Sequence, residues 1–210
     1  MSSILSPVVP TNAPVVQSFG AGGQMYVADL WTGFNITSDR DNELFAFART
    51  DRNVPNARML TNLTEPRKIG STMTFKATQI GLRVIKTKEV NLTLAEVTAM
   101  KDLLNSAVVK INYGSNDTVI AEFTGMHLTN PVDYIVGAPS SAAAAIGTSG
   151  AVNPAGFIRL PEPIGMQDNV NIGGSVNFGR DVPSALVGEG GVAAGFAFVV
   201  VLSGLKVVKS

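Results

Sequence analysis

The side chains able to do covalent or acid–base chemistry are few. There is one histidine, His127, and no cysteine. A serine nucleophile would have to take His127 as its base and an aspartate as orienter. No G-x-S-x-G turn exists to present such a serine. Ser149 and Ser175 stand among glycines, in stretches of small residues. One imidazole cannot fill a multi-histidine zinc site, and the missing thiols exclude cysteine ligands, cysteine nucleophiles and disulfides. Asp39 and Asp41 share the turn Ser38-Asp39-Arg40-Asp41-Asn42. They could hold a cation there, but Asp and Asn serve a turn without one. Glycoside hydrolysis needs two carboxylates across one cleft; Asp102, Asp117, Asp133, Asp168 and Asp181 fall in turns or on a helix, with no pairing marked. The glycines at 20–23 lack the Lys-Ser/Thr pair and following helix of a phosphate loop. The chain is therefore expected not to be an enzyme, and to use no metal and no cofactor.

Binding chemistry is equally sparse. Tyr26, Trp31 and Phe34 could line a sugar-binding face. On a strand, however, Tyr26 and Phe34 share one side and Trp31 takes the other, so core packing is the simpler account. Asn35, Asn62, Asn91 and Asn116 fit the N-x-Ser/Thr acceptor pattern, which matters only for a secreted eukaryotic protein. Sixteen basic residues balance sixteen acidic ones. Up to Lys88 the basic residues exceed the acidic by four, and the remainder reverses that. Met1 to Gly23 holds no Lys or Arg. Tight nucleic-acid binding needs clustered cations, so strong direct binding of a genome is not expected.

The elements that must position these residues read as β. Ser2 to Gln17 is rich in Pro, Val and Ser, and Pro7, Pro10 and Pro14 forbid a regular helix. Residues 1–23 are thus expected to form an extended arm, followed by a single domain over 24–210. Strands are expected over 24–36, 42–49, 71–84, 108–113, 118–123, 157–160, 169–178 and 196–208, with 50–66 as a loop. In 71–84 the apolar residues change parity, from Met73, Phe75 and Ala77 to Ile80, Leu82 and Val84, which calls for a bulge or two buried faces. Gly114-Ser115-Asn116-Asp117 is a tight hairpin turn. Gly137 to Gly156 is dominated by Ala, Ser and Gly and reads as a long loop. The run Val192–Leu202 is far shorter than the roughly 20 residues needed to span a bilayer and reads as a buried strand. The N-terminus lacks the charged n-region and continuous apolar core of a secretory signal.

One helix is expected, over 94–105. Thr93 and Glu96 form a capping box before it. Leu94, Val97, Lys101 and Leu104 mark its stripe, with Met100 and Leu103 alongside. About eight strands with one short surface helix, and no βαβ alternation, give an all-β fold: a jelly-roll sandwich or barrel.

Charged residues make up only 15% of the chain, against about 25% in an average soluble domain. With 45% hydrophobic residues, that composition suits a surface largely covered by neighbours. Leu60-Thr61-Asn62-Leu63, Pro66, and Ser71-Thr72-Met73-Thr74-Phe75 running to Ile80 resemble capsid proteins of tailless icosahedral bacteriophages. The helix 95–105 and the hairpin that follows it fit the same order of features. So do Leu160-Pro161-Glu162-Pro163-Ile164, the strand around Val170–Phe178, and the closing Leu202-Ser203-Gly204 with Lys206 and Lys209. The resemblance covers roughly Met59 to Ser210. It implies a jelly-roll shell subunit in a virion that binds copies of itself in trimers or pseudo-hexameric capsomers, together with other virion proteins. It implies in many cases an internal lipid membrane, which Arg67, Lys68, Lys206 or Lys209 could meet at about 1 kcal/mol each. The arm is expected to touch a neighbouring subunit through Val8, Val9, Val15 and Val16. Another virion part (spike, cement or tail protein) and a carbohydrate-binding jelly-roll module are the alternatives.

Overall fold

A computed structural model describes residues 17–19, 23–70, 73–87, 92–114, 118–125, 157–168, 170–187 and 195–209. They contain nine strands: β1 (Gln17–Phe19), β2 (Gly23–Asn35), β3 (Asp41–Leu44), β4 (Met73–Lys86), β5 (Ala107–Tyr113), β6 (Thr118–Thr124), β7 (Ile158–Met166), β8 (Ile172–Phe178) and β9 (Phe196–Lys209). Two helices accompany them, α1 (Ala57–Leu60) and α2 (Leu94–Ser106), with a 3₁₀ turn at Ser184–Leu186.

Sheet A has the order β1-β2-β9-β4-β7 and sheet B the order β3-β8-β5-β6. Every pairing is antiparallel. The pairs β2·β9, β3·β8, β4·β7 and β5·β6 are nested one within the next. The chain is thus one long hairpin of four strand pairs. Successive pairs alternate between the sheets, and β4·β9 and β5·β8 close the roll. This wiring is the jelly roll expected from the sequence. The sheets do not close into a barrel, so of the two forms anticipated the sandwich is the one found.

The core lies between the sheets. Leu30, Phe34, Ile80, Leu82, Val84, Phe198, Val200 and Leu202 from sheet A meet Leu44, Val109, Ile111, Ile172, Val176 and Phe178 from sheet B. At its centre Phe34 stacks on Phe198 at 5.5 Å, and Phe178 meets Phe198 edge-on at 5.4 Å. Each such ring pair contributes about 0.5–1.5 kcal/mol beyond its burial. The parity change in β4 is a bulge. The register slips between Ala77 and Gln79, so Phe75 and Ala77 before it and Ile80, Leu82 and Val84 after it all enter the same core.

Several boundaries differ from expectation. The strand expected over 42–49 stops at Leu44. Phe45 takes a left-handed φ of 61°, which breaks the ladder, and its N–H is held instead by Thr32 Oγ1 at 2.7 Å. The strand expected to end at Leu160 continues through Pro161 and Pro163 to Met166. Both prolines fall in the gap where the β4·β7 register is interrupted, between Arg159 and Ile164. β7 is also an edge strand, where a missing N–H is tolerated. Within the stretch expected as an arm, Gln17–Phe19 pair with Gly23–Met25, so the arm's last residues belong to sheet A.

In α2 the capping box forms as expected: Thr93 Oγ1 accepts from the Glu96 N–H at 3.2 Å, and Glu96 Oε2 accepts from the Thr93 N–H at 2.7 Å. The buried stripe is Val97, Met100, Leu103 and Leu104. Leu94 and Lys101, expected on it, are exposed.

Candidate assembly surfaces

β9 is buried on both faces. Its even-numbered residues Phe196 to Leu202 enter the main core. Ala197, Val199 and Val201 point out of the sandwich and form a second apolar cluster with Leu60, flanked by Trp31, Phe47, Val54, Ile85 and Phe157. The cover is the segment after β3, residues 45–63, which runs back over the outside of sheet A as a strap. α1 presses Leu60, fully buried, onto this face. Gly33 lies beneath: a Cβ there would come within 2.2 Å of the Phe198 carbonyl oxygen. The unbroken apolar run Phe196–Leu202 therefore reflects two covered faces.

The strap is clasped to the outer edge of β2. Asn62 Oδ1 accepts from the Trp31 N–H at 3.0 Å, and Asn62 Nδ2 donates to the Asp29 carbonyl at 2.8 Å. Thr61 Oγ1 donates to the Trp31 carbonyl at 3.2 Å. One amide side chain thus satisfies the donor and acceptor that a neighbouring strand would have taken, which blocks edge-to-edge pairing. The Thr61-Asn62-Leu63 segment that carries part of the family resemblance is this clasp. Asn62 fits the glycosylation pattern, but its amide is committed to β2.

Beside the clasp lies an open groove of about 410 Å³, lined by Trp31, Arg49, Thr50, Arg58, Thr61 and Asn62. Thr61 and Asn62 are engaged with β2. The indole and the two guanidinium-bearing side chains remain to meet a ligand. Sequence reasoning placed Trp31 on the opposite side from Tyr26 and Phe34, and the structure agrees: Phe34 is in the core and Trp31 on the outer cluster. It did not foresee Arg49 and Arg58 beside Trp31, because a loop carries no periodicity to align them.

The outer face of sheet B is mainly polar, although Val119 and Ile120 are exposed on its edge strand β6. Lys110 and Glu122 pair at 3.4 Å, Arg67 pairs with Glu43, and Asn177 Nδ2 donates to Asp41. No segment comparable to the strap packs there among the described residues. Arg40 pairs with Asp181, and Asp39 accepts from Thr37 Oγ1 at 2.9 Å. Among the described residues no group of three or more His, Cys, Asp or Glu could hold a metal. Ser175 sits on β8 between Lys110 and Glu43. Of the cations considered for a membrane surface, Arg67 is paired to Glu43, Lys68 lies 3.6 Å from Glu65, and Lys206 packs over the Tyr26 ring at 5.6 Å.

One ion pair is largely buried. Lys86 Nζ donates to Glu96 Oε1 at 2.8 Å, with 13% and 15% of the two side chains exposed. Burial alone would raise the Glu96 pKa. The hydrogen bonds from Lys86 and from the Thr93 backbone and hydroxyl outweigh it, and the carboxyl titrates below its ordinary value. The pair fastens the end of β4 to the start of α2. It is a structural bolt, since both partners are consumed by each other and by the cap.

Val8, Val9, Val15 and Val16, His127, Ser149 and the loop 137–156 lie outside the described residues. A scan against protein-family models and a search of curated proteins find no match.

Proposed function

We propose that this chain is a structural subunit of a viral shell of the kind built by tailless icosahedral bacteriophages, assembling with copies of itself into capsomers. The observation that carries the reading is the complete jelly-roll ribbon of four nested strand pairs, an architecture shared by viral capsid domains, lectins and cupins. Architecture alone does not choose among these. The 15% charge fraction and the resemblance over Met59–Ser210 favour the shell. So does the use of Thr61 and Asn62 to seal a sheet edge, because a subunit packed at high local concentration must suppress unwanted strand pairing. A virion location, contacts with other virion proteins and a lipid layer beneath the shell follow from the same reading.

A second reading is favoured by the Trp31 groove. An indole next to Arg49 and Arg58 offers a stacking face and cationic donors to an acidic sugar, as a carbohydrate-binding module would. Electron microscopy and light scattering of the purified protein separate the two. Closed particles or capsomers of uniform size are expected. A protein that stays monomeric at all concentrations and binds acidic glycans through Trp31 overturns the shell reading. Particles that form only on a pre-existing shell of another protein assign the chain to a cement or spike role.

A further inference from the structure

Sheet A outruns the sandwich at one corner. β2, β4 and β9 are 13, 14 and 14 residues long, while the longest strands of sheet B have 7. On β2 and β9 the core ends at the paired residues Leu30 and Leu202. Beyond them the outward side chains of the two strands are first Asp29 opposite Ser203, then Val27 and Met25, in register with Leu205 and Val207. Val27 is 59% exposed and Leu205 37%. Met25 and Val207 are half-buried. Two adjacent cross-strand rows of large apolar side chains thus lie on the same outer face that the strap covers further along. The strap's last grip toward this corner is Asn62 on Asp29.

The segment available to cover the corner is Met1–Val16. It has no charged residue, four valines and three prolines, and it leads into β1, whose first residue Gln17 pairs with Met25. The chain's own sheet offers that segment little. A strand prolonging β1 along β2 would run into Asn62, which already occupies the Asp29 carbonyl and the Trp31 N–H. Pro7, Pro10 and Pro14 have no N–H to give a ladder. Sixteen residues reach roughly 50 Å when extended, more than the width of a sandwich.

We propose that the Met25/Val27/Leu205/Val207 corner of one copy is the docking face for the valine-rich segment Met1–Val16 of a neighbouring copy. The inference rests on the shell reading, since an arm meets a neighbour's face only where copies gather. Uncharged valines match these two apolar rows, which are bounded by exposed Asp29 along β2 and by Lys76, beside Leu205 on β4.

The absence of cysteine makes the test clean. Val8→Cys or Val15→Cys protein is mixed with Leu205→Cys protein under assembly conditions and treated with a short bismaleimide. A covalent dimer of the two variants is expected, at least tenfold above the yield with Ser175→Cys, on the outer face of sheet B, in place of Leu205→Cys. No dimer from either arm position overturns the proposal. So does a Val15→Cys/Leu205→Cys double variant that links within one copy in preference to between copies. As a second measurement, Val27→Asp/Leu205→Asp is expected to make the arm in assembled material as protease-sensitive as in free subunits, with circular dichroism unchanged; unchanged protection overturns the proposal. Electron microscopy of the wild type separates the two claims: particles without the cross-link sink the docking face alone, whereas cross-linked pairs without particles or capsomers sink the shell reading alone.

Discussion

Sheet A turns Ala197, Val199 and Val201 outward from its central strand and needs the strap to cover them. Sheet B turns Lys110, Glu43 and Asn177 outward, and these pair with one another's neighbours in the open. The two sheets share one core and differ in their backs: sheet B leaves Val119 and Ile120 exposed on its edge strand but has no apolar central strand to cover. The central strand of a two-layer sandwich needs only one apolar face, so the second apolar face of β9 is extra, and it commits the chain to a cover. The strap supplies most of that cover and leaves one corner bare. Sheet B, by contrast, is finished by solvent.

The comparison can be broken by substitutions that treat the two backs alike. The largest effect is expected for Leu60→Ala, which empties the space between strap and sheet A. Burial of a leucine side chain at this depth predicts a loss of about 2–5 kcal/mol, read as a fall in the denaturation midpoint. If the loss is no greater than for an exposed residue, the strap does not cover the sheet.

Glu96→Gln comes next, at about 1–3 kcal/mol near neutral pH, the range for a charge-assisted hydrogen bond removed from a largely buried site. Its sign with pH follows from the lowered Glu96 pKa. A carboxyl with a depressed folded-state pKa stabilises the protein above its unfolded value and loses that contribution as pH falls through the folded one. The difference between wild type and Glu96→Gln should therefore shrink as pH drops below about 4; chemical denaturation at several pH values measures it.

Asn62→Ala is expected to cost about 1–2 kcal/mol and to speed hydrogen exchange at the Trp31 amide while leaving β5 and β8 protected. Equal acceleration in both sheets would deny the clasp its local role. The smallest effect should come from Lys110→Gln on the back of sheet B. Its partner Glu122 is more than half exposed, and such pairs contribute about 0–1 kcal/mol. A loss matching that of Leu60→Ala would erase the distinction between the two backs.

Much of the fold was legible because it depends on local period and turn chemistry. The capping box at Thr93 and Glu96, the parity change in β4 and the opposite facing of Trp31 and Phe34 all follow from spacing, although spacing alone left that change open between a bulge and two buried faces. The features that were not legible depend on tertiary partners. Phe45 has the composition of a strand residue, and its left-handed turn is held by tertiary partners, the Thr32 hydroxyl on its N–H and the Arg67 N–H on its carbonyl. Pro161 and Pro163 look like strand breakers until β7 proves to be an edge with an interrupted register. The outer surface was the least legible. The apolar run Val192–Leu202 signalled a buried strand, but not that its second face would be covered, and nothing in the loop 45–63 announced that Leu60 and Asn62 would supply the cover. Arg49 and Arg58 come to Trp31 by the path of that loop, which no periodicity encodes.

The nested wiring also sets an order of events. β9 follows every other strand in the chain, yet it is the middle of sheet A, and β2 and β4 bond to each other only through it. While the chain is being made, those two strands face an empty slot lined on either side by unpaired backbone groups. Sheet B has no such dependence on the last strand: β3, β8, β5 and β6 can pair before β9 emerges. Sheet A is therefore complete only with β9 in place, and without it β2 and β4 would present unpaired edges of the kind that capture foreign strands. In a jelly roll wired this way, β9 both joins β2 to β4 and gives the strap a surface to close upon.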